Sequence, residues 1–321
     1  MVAVPVLDVR DLSVEFRTRS GTVAALDSVT FAVGKGEMIG VVGESGSGKS
    51  VTAYALMGIL EAAGKVTSGS AMFGGADLLK ASESDLEQLR GRELSMIFQN
   101  PRVALNPIRR VGLQIADVLL RHGNVTRADA PARAIDMLKA VRIPDPERRA
   151  KAYPFELSGG MCQRIMIAIA LACAPSLLIA DEPTTGLDVT TQAAIMDLIS
   201  ELARERGMAT VLITHDLGMA AEYCDRIVVM HAGHVVENAP TAELFASPRH
   251  PYTAKLIAAT PRPESHLEDL VAIGGNLPDL RSPALPPCRY SGRCERMLPE
   301  CVQALPRRTV GDAMVACWNP L

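Results

Sequence analysis

The sequence lacks a strong excess of either charge, and it also lacks a long hydrophobic run. Its 33 lysines and arginines stand against 36 aspartates and glutamates, which gives a formal net charge of −3. Proteins that bind nucleic acid through its phosphates carry a clear basic excess, so we expect no nucleic-acid partner. The longest uncharged run, residues 165–180, has 16 residues, whereas a membrane-spanning helix needs roughly 20. Because no basic stretch followed by an apolar one opens the sequence, we expect no secretory signal and a cytosolic product.

Cysteine and proline are distributed unevenly along the 321 residues, of which 48% are hydrophobic and 21% charged. That composition predicts a folded protein with a sizeable core. Four of the seven cysteines fall within the last 34 residues, and nine of the 21 prolines lie from Pro261 onward. We therefore predict a main domain, 1–260, and a loop-rich C-terminal extension, 261–321. The other three cysteines lie in apolar or helical patterns and are predicted to be buried: Cys162, Cys173 and Cys224.

Apolar runs that alternate with helical patterns predict an α/β fold. The run 38–42 ends in a glycine-rich turn before a helix, and similar runs follow at 176–180, 209–214 and 226–230. Such alternation favours a mostly parallel sheet covered by helices on both faces. The alternating run 6–16 predicts an edge strand, with 29–33 as its antiparallel partner. The charged, proline-interrupted middle of the chain predicts an inserted helical lobe at about 85–175.

The segment Gly43–Ser50 has the sequence GESGSGKS, which matches G-x-x-x-x-G-K-[ST] between a predicted strand and a predicted helix. Its glycines allow the backbone to curl so that successive N–H groups face phosphate oxygens. Lys49 is expected to reach the β- and γ-phosphates of a nucleotide, and the Ser50 hydroxyl to bind Mg²⁺. Because the match is complete and correctly placed, we prefer it to an ordinary glycine-rich turn and predict a P-loop NTPase core.

A second motif, LLIADE at 177–182, is a hydrophobic strand that ends in two carboxylates. Asp181 is expected to hold Mg²⁺ through water, and Glu182 to face the γ-phosphate and polarise the attacking water. Phosphoryl transfer needs both a metal that neutralises charge and a base that orients the nucleophile. Such a pair alone is more often a solvated turn, but the phosphate-binding loop favours the site interpretation.

The segment LSGGMCQR at 157–164 places Ser158, Gly159 and Gly160 before an apolar helix. A helix N-terminus of this kind suits a phosphate. Because the phosphate-binding loop already occupies one helix terminus, this second terminus is a candidate for the γ-phosphate of a nucleotide held by another subunit. The alternative is that Ser158 is an ordinary N-cap.

Together with MIFQNP at 96–101, these motifs resemble the nucleotide-binding subunit of ATP-binding cassette (ABC) transporters along almost the whole chain. The resemblance implies that ATP and Mg²⁺ bind, with the signature at Ser158–Gly160 and the Walker B pair at Asp181 and Glu182. The Walker A loop comprises Gly43, Ser45, Gly46, Gly48, Lys49 and Ser50. The Q-loop glutamine (also near Mg²⁺), the D-loop aspartate, the switch histidine and an adenine-stacking aromatic are Gln99, Asp188, His215 and Phe16. Catalysis is expected to rest on Glu182, His215 and Gln99. The alternatives are a structural histidine at 215 and a buried strand residue at 16.

Within that superfamily the chain is most similar to the subunits that drive dipeptide and oligopeptide import. The segments that carry this similarity include GESGSGKSVTA, DEPTTGLDVTTQ and SPRHPYTAKLIAATPR. Cys162 departs from the family's usual basic residue and is expected to affect a contact to the nucleotide or the neighbouring subunit.

The resemblance implies ATP hydrolysis that powers peptide import, at the cytoplasmic face of the cell membrane as a peripheral subunit. Its implied partners are a second ABC ATPase subunit, identical or homologous, two transmembrane permease subunits and, indirectly, an extracytoplasmic solute-binding protein. The alternatives are the same role for another small solute, such as a metal complex, and a soluble ABC ATPase outside transport.

The clustered cysteines have the spacing C-x5-C-x6-C-x15-C, from Cys288 through Cys294 and Cys301 to Cys317. Disulfides are disfavoured in the cytosol, and the close cysteine pair of a zinc knuckle is absent. Four thiolates on a proline-rich segment suit an iron–sulfur cluster that holds the segment together. The similarity to peptide importers implies a [4Fe–4S] cluster, with zinc or four free thiols as alternatives. Because this tail is far from the phosphate-binding loop in sequence, we expect ATP binding largely to survive substitutions of its cysteines.

Overall fold

The computed structural model describes residues 4–261, 272–282 and 284–321. Its strands in chain order are β1 (Leu7–Thr18), β2 (Gly21–Val33), β3 (Met38–Val42), β4 (Gly64–Phe73), β5 (Ala76–Asp77), β6 (Leu94–Ile97), β7 (Leu177–Asp181), β8 (Ala209–Thr214), β9 (Arg226–His231), β10 (His234–Pro240), β11 (Arg308–Val310) and β12 (Ala313–Val315). Its α-helices are α1 (Lys49–Met57), α2 (Glu83–Leu89), α3 (Pro101–Ala104), α4 (Val111–His122), α5 (Ala130–Ala140), α6 (Pro146–Arg149), α7 (Gly159–Leu171), α8 (Val189–Arg206), α9 (Leu217–Tyr223), α10 (Thr241–Ala246) and α11 (Pro251–Ala258).

The chain forms two compact units. The first unit contains Met1–Gly34, Met38–Lys80 and Leu212–Leu321, and the second contains Lys35–Glu37 and Ala81–Val211. The predicted start of the C-terminal extension falls largely in 262–271, which lie outside the described residues. Among the described residues, none of the helices has the length and apolar character needed to cross a membrane.

The first unit contains a four-stranded antiparallel sheet with the order β2-β1-β4-β5. The predicted pairing of the first two strands is present, with Leu7 opposite Val33. The prediction that β1 is an edge strand is wrong, because β4 pairs with its other side, with Leu7 opposite Phe73. The buried positions of β1 change phase between Val9 and Leu12, where the ladder contains a register shift. A bulge of this kind lets residues on both sides of it face the same core.

The same unit also contains the strand order β11-β12-β10-β9-β3. β3 and β9 are parallel, with Val41 opposite Val228, and every residue of β3 is buried, as expected for a strand covered on both faces. β12 pairs with β10 at Glu237 and Val315. The cysteine-bearing tail therefore ends in a β-hairpin that extends a sheet, which the prediction of a loop-rich appendage did not include.

The second unit is largely helical. β6 and β7 form a parallel pair, with Leu94 opposite Leu177, and helices α4, α5 and α7 pack against one another. Two prolines of this region begin helices rather than break them: Pro101 and Pro146 are the first residues of α3 and α6. Proline is tolerated at that position because its missing N–H has no intrahelical acceptor there.

Candidate functional site

The phosphate-binding loop lies between β3 and α1. Gly43, Gly46 and Gly48 have positive φ angles of 152°, 79° and 102°, which L side chains rarely adopt. A Cβ atom on Gly43 would lie 2.1 Å from the carbonyl oxygen of Met230, and one on Gly48 would lie 2.6 Å from Cδ2 of Leu26. Glycine at these two positions therefore allows both the turn and the close approach of its surroundings.

Lys49 begins α1 and is 6% exposed. Its Nζ donates hydrogen bonds to the carbonyl oxygens of Gly43 (2.8 Å) and Glu44 (3.0 Å). The Lys49 ammonium group thus lies against backbone carbonyls of the loop, beside the N-terminus of α1. Ser50 is partly exposed at the second position of that helix.

Glu44, inside the loop, has partners that the sequence did not reveal. Its carboxylate accepts two hydrogen bonds from Arg293, at 2.8 and 2.9 Å, and its backbone N–H donates to the hydroxyl of Tyr252 at 3.0 Å. The Arg293 guanidinium holds the pKa of the Glu44 carboxyl below its usual range. Tyr252 belongs to the HPYT segment, whose sequence signalled a family resemblance but not this contact.

In the second unit, the acidic pair Asp181 and Glu182 lies at the end of β7. Asp181 is the last residue of that strand and is 1% exposed, and Glu182 has a positive φ of 45°. The side-chain amide of Gln99 donates to Oε2 of Glu182 at 2.7 Å, and the Thr185 hydroxyl donates to the same oxygen at 2.9 Å. The structure therefore brings together the predicted Q-loop glutamine and the predicted base, although they are separated by 83 positions in the sequence.

The predicted signature serine, Ser158, and the predicted D-loop aspartate, Asp188, both cap helices. Ser158 Oγ accepts from the Met161 N–H at the start of α7, and Asp188 accepts from the Thr191 N–H at the start of α8. A Cβ on Gly160 would lie 3.1 Å from a methyl group of Thr191. The N-cap alternative for Ser158 is thus present in the structure, and an N-cap leaves the first N–H groups of a helix facing outward, where an anion could bind.

Cys162 lies within α7 and is fully buried. Its thiol donates to the carbonyl oxygen of Pro154 at 3.4 Å, and burial raises its pKa. The side chain therefore packs inside the unit, which argues against a direct effect on a nucleotide. Cys224 is buried as predicted, whereas Cys173 is partly exposed.

Two further predicted residues lie in the first unit. His215 is exposed and follows β8 directly, as expected for a residue at a strand end. Phe16 is partly exposed near the end of β1, and its ring lies 2.8 Å from where a Cβ of Gly64 would be. The glycine thus leaves room for the aromatic ring at the sheet surface.

The four tail cysteines line one cavity, together with Tyr290 and Trp318. All four are free thiols, and burial raises the pKa of Cys288 to about 11. The sulfur atoms of Cys301 and Cys317 accept the backbone N–H groups of Leu298 (3.4 Å) and Asn319 (3.3 Å), respectively. Across the described ranges, no group of three or more His, Cys, Asp or Glu side chains is arranged to hold a metal ion.

Comparison with protein families matches residues 26–185 to the ABC transporter family and residues 236–301 to the C-terminal region of oligopeptide/dipeptide transporters. The chain is 48% identical to a probable peptide ABC transporter ATP-binding protein of Sinorhizobium fredii, over 98% of this chain and 94% of that protein. It is 46% identical to the oligopeptide transport ATP-binding protein OppD of Escherichia coli, over 98% and 93%.

Among solved structures, the post-hydrolysis dimer of the ATP-binding cassette MJ0796 bound to ADP and phosphate is similar, with a TM-score of 0.66 and 27% identity. The match covers 73% of this chain and 98% of that one. The fold is thus the α/β fold of ABC ATPase cassettes, with a P-loop NTPase core. The chain belongs to the ABC transporter ATP-binding proteins, in the group of the dipeptide and oligopeptide transporters.

Proposed function

We propose that this chain is the ATP-binding and ATP-hydrolysing subunit of a transporter that imports dipeptides or oligopeptides through a membrane permease. The observation that carries the proposal is a complete phosphate-binding loop in a chain that is 46% identical to OppD along almost its full length. The chain would act at the cytoplasmic face of the membrane as a peripheral subunit. Its partners would be two permease subunits, a second cassette and, indirectly, a solute-binding protein.

For ATP binding, we assign the phosphates to the loop Gly43–Ser50, with the Lys49 ammonium turned from its own carbonyls to the β- and γ-phosphates. Phe16 would stack on the adenine. Ser50, Asp181 and Gln99 each carry a side-chain oxygen, the kind of ligand that Mg²⁺, a hard cation, prefers. When bound, Mg²⁺ neutralises the charge on the phosphate oxygens.

For hydrolysis, Glu182 would orient a water molecule towards the γ-phosphorus and accept its proton as the bond to ADP breaks. The hydrogen bonds from Gln99 and Thr185 support this role, because they fix the orientation of the carboxylate. His215 would steady the γ-phosphate. The signature Ser158–Gly160 and Asp188 would contact the nucleotide held by the partner cassette, so that two cassettes close on two ATP molecules.

For the tail, we propose that Cys288, Cys294, Cys301 and Cys317 hold a [4Fe–4S] cluster. Two observations support this fit: the four cysteines line one cavity, and the sulfurs of Cys301 and Cys317 each accept a backbone N–H, a contact that stabilises thiolate ligands. A zinc ion held by the same four thiolates is the alternative. The cluster would be structural, within an extension proposed at 261–321 beside a cassette at 1–260 with its helical lobe at about 85–175.

The test is transport by the whole assembly. The chain is co-expressed with its permease and partner cassette, placed in lipid vesicles and supplied with the solute-binding protein and labelled peptides. We expect ATP-dependent peptide uptake that a Lys49→Ala variant abolishes. ATPase activity stimulated by another solute, with no peptide uptake, would reassign the substrate. Full activity without any permease would instead favour an ABC ATPase that acts outside transport.

A further inference from the structure

The cysteine-bearing tail touches the phosphate-binding loop directly. Both terminal nitrogens of Arg293 donate to the two carboxylate oxygens of Glu44, at 2.8 and 2.9 Å. Arg293 immediately precedes Cys294, and its side chain is only 6% exposed. The distance between the tail and the loop in sequence therefore does not keep them apart in the structure, because the ion pair of Arg293 and Glu44 joins them.

Arg293 occupies this position because the folded tail holds it there. It belongs to the short 3₁₀ turn Ser291–Arg293, and its Nε donates to the carbonyl oxygen of Gly274 at 2.8 Å. Nη1 also lies 3.2 Å from Nε2 of His231, and the guanidinium lies 5.7 Å from the centre of the Tyr290 ring. A tail that lost its fold would lose these contacts and would no longer present the guanidinium to Glu44.

On the loop side, Glu44 is connected to the residues that meet phosphate. Its carbonyl oxygen accepts from Nζ of Lys49 at 3.0 Å and from the N–H of Ser47 at 3.1 Å. Its N–H donates to the hydroxyl of Tyr252, which is fully buried. A continuous series of contacts thus runs from Cys294 through Arg293 and Glu44 to Lys49.

The energetics favour a real influence on the loop. A bidentate pair of charge-assisted hydrogen bonds is among the stronger and more directional polar contacts in proteins. The side chains of this pair are 6% exposed at Arg293 and 28% exposed at Glu44. Solvent therefore screens the attraction between their charges less than it would in a fully exposed pair. A second contact lies close by: Cδ1 of Leu277 is 3.3 Å from where a Cβ of Gly46 would be.

We propose that Arg293 is a positioning residue for the phosphate-binding loop, so that the folded cysteine-bearing tail sets the affinity of the chain for ATP. The proposal goes beyond the function given above, which assigns the tail no part in nucleotide binding, and it rests on ATP being the nucleotide of the loop. Arg293 acts through Glu44 and does not itself contact the phosphates.

The experiment compares Arg293→Ala, Glu44→Ala and the double variant in the full-length chain, assembled with its permease. We expect each single variant to raise the KM for ATP about tenfold, the scale of losing one charged hydrogen bond, with kcat within about twofold of the wild type. The double variant should raise the KM no further than either single variant, because both remove one interaction. Arg281→Ala is the matched control, since its exposed guanidinium pairs with Asp279 two residues away.

A variant with an intact tail guards against simple unfolding. Glu44→Gln removes the charge from the loop side alone and should raise the KM for ATP several-fold with iron content unchanged. The proposal is overturned if Glu44→Gln and Arg293→Ala both bind ATP like the wild type, or if the two single effects simply multiply in the double variant. Peptide uptake by the wild type reports separately on the proposed function, so that failure of one statement is distinguishable from failure of the other.

Discussion

The side-chain amide of Gln99 donates a 2.7 Å hydrogen bond to the carboxylate of Glu182, and the hydroxyl of Thr185 donates to the same oxygen. Two donors on one carboxylate oxygen fix the plane of the carboxyl group. A general base needs such orientation, because proton transfer requires a defined direction towards the water it activates. The contact predicts separate roles, with Glu182 as the base and Gln99 as the residue that orients it, and substitutions can distinguish the two.

The Glu182→Gln variant is expected to bind ATP normally but to hydrolyse it about 10²–10⁴-fold more slowly, the usual cost of losing a positioned base. An amide keeps the shape of the side chain and still accepts from Gln99, so the loss reports on chemistry. ATPase assays of the assembled transporter, with gel filtration to detect a trapped closed dimer, provide the measurement. Lys49→Ala should lose ATP binding itself. Near-normal turnover of Glu182→Gln would show that Glu182 is not the base.

The Gln99→Ala variant is expected to lower kcat about tenfold, since misorientation of a catalytic group has effects of at least this size. Its ATP affinity should change less than its kcat if the amide acts mainly by orienting Glu182. Gln114→Ala is a suitable control. The side-chain nitrogen of Gln114 donates to two nearby backbone carbonyls, those of Asn106 and Arg109. A kcat equal to that of the control would show that Gln99 has no orienting role.

The sequence was sufficient for features that depend on local pattern. The β1–β2 pairing and the placement of the phosphate-binding loop between β3 and α1 follow from alternation, apolar runs and glycine spacing. The pair of Glu44 and Arg293 was not predictable, because its partners are 249 positions apart and each belongs to a common residue type. The tail hairpin was also missed. Its strands have three residues each, too short for a detectable alternation, and its pairing with β10 is decided by the tertiary structure.

A further prediction concerns dependence on partners. Expressed alone, the chain is expected to be soluble and weakly active, because the proposed role of the signature at Ser158 is to contact the nucleotide of a second cassette. Co-expression with the permease should move it to the membrane fraction. Fractionation and ATPase assays across a range of protein concentrations provide the measurement. Activity per molecule that is high and independent of concentration in a strict monomer would contradict the shared-site arrangement.

Stability should depend on pH through Asp27. A hydrogen bond from His234, followed by the charges of His234 and Arg289, lowers the pKa of this half-exposed carboxyl to about 2. Because the pKa is depressed in the folded state, the contribution is complete above the ordinary value of about 4 and is lost as the pH falls towards 2. We expect Asp27→Asn to be less stable than the wild type by at most about 1 kcal/mol at pH 7, since the pair is partly solvated. Denaturant unfolding should show this difference shrinking between about pH 4 and pH 2, and a difference that grows there would contradict the assignment.

The last prediction concerns the tail cysteines. Chain purified without oxygen should contain about four iron atoms and a visible absorption band typical of a [4Fe–4S] cluster. Replacing Cys288, Cys294, Cys301 or Cys317 with serine should abolish both. Cys173→Ser should retain them, because that thiol lies in the second unit near the Val118 carbonyl. Stoichiometric zinc without iron would show that the four cysteines hold zinc and not a cluster. Absence of any metal would show that they are free thiols.

The same variants separate a purely local cluster from one that supports the phosphate-binding loop. Loss of the cluster should loosen the turn at Ser291–Arg293, so that Arg293 no longer meets Glu44. The cysteine variants should then raise the KM for ATP by about the factor seen with Arg293→Ala, and adding Arg293→Ala to them should raise it no further. An unchanged KM in iron-free variants would show that the loop keeps its conformation without the cluster, because the remaining contacts of Arg293 and Tyr252 suffice to hold Glu44.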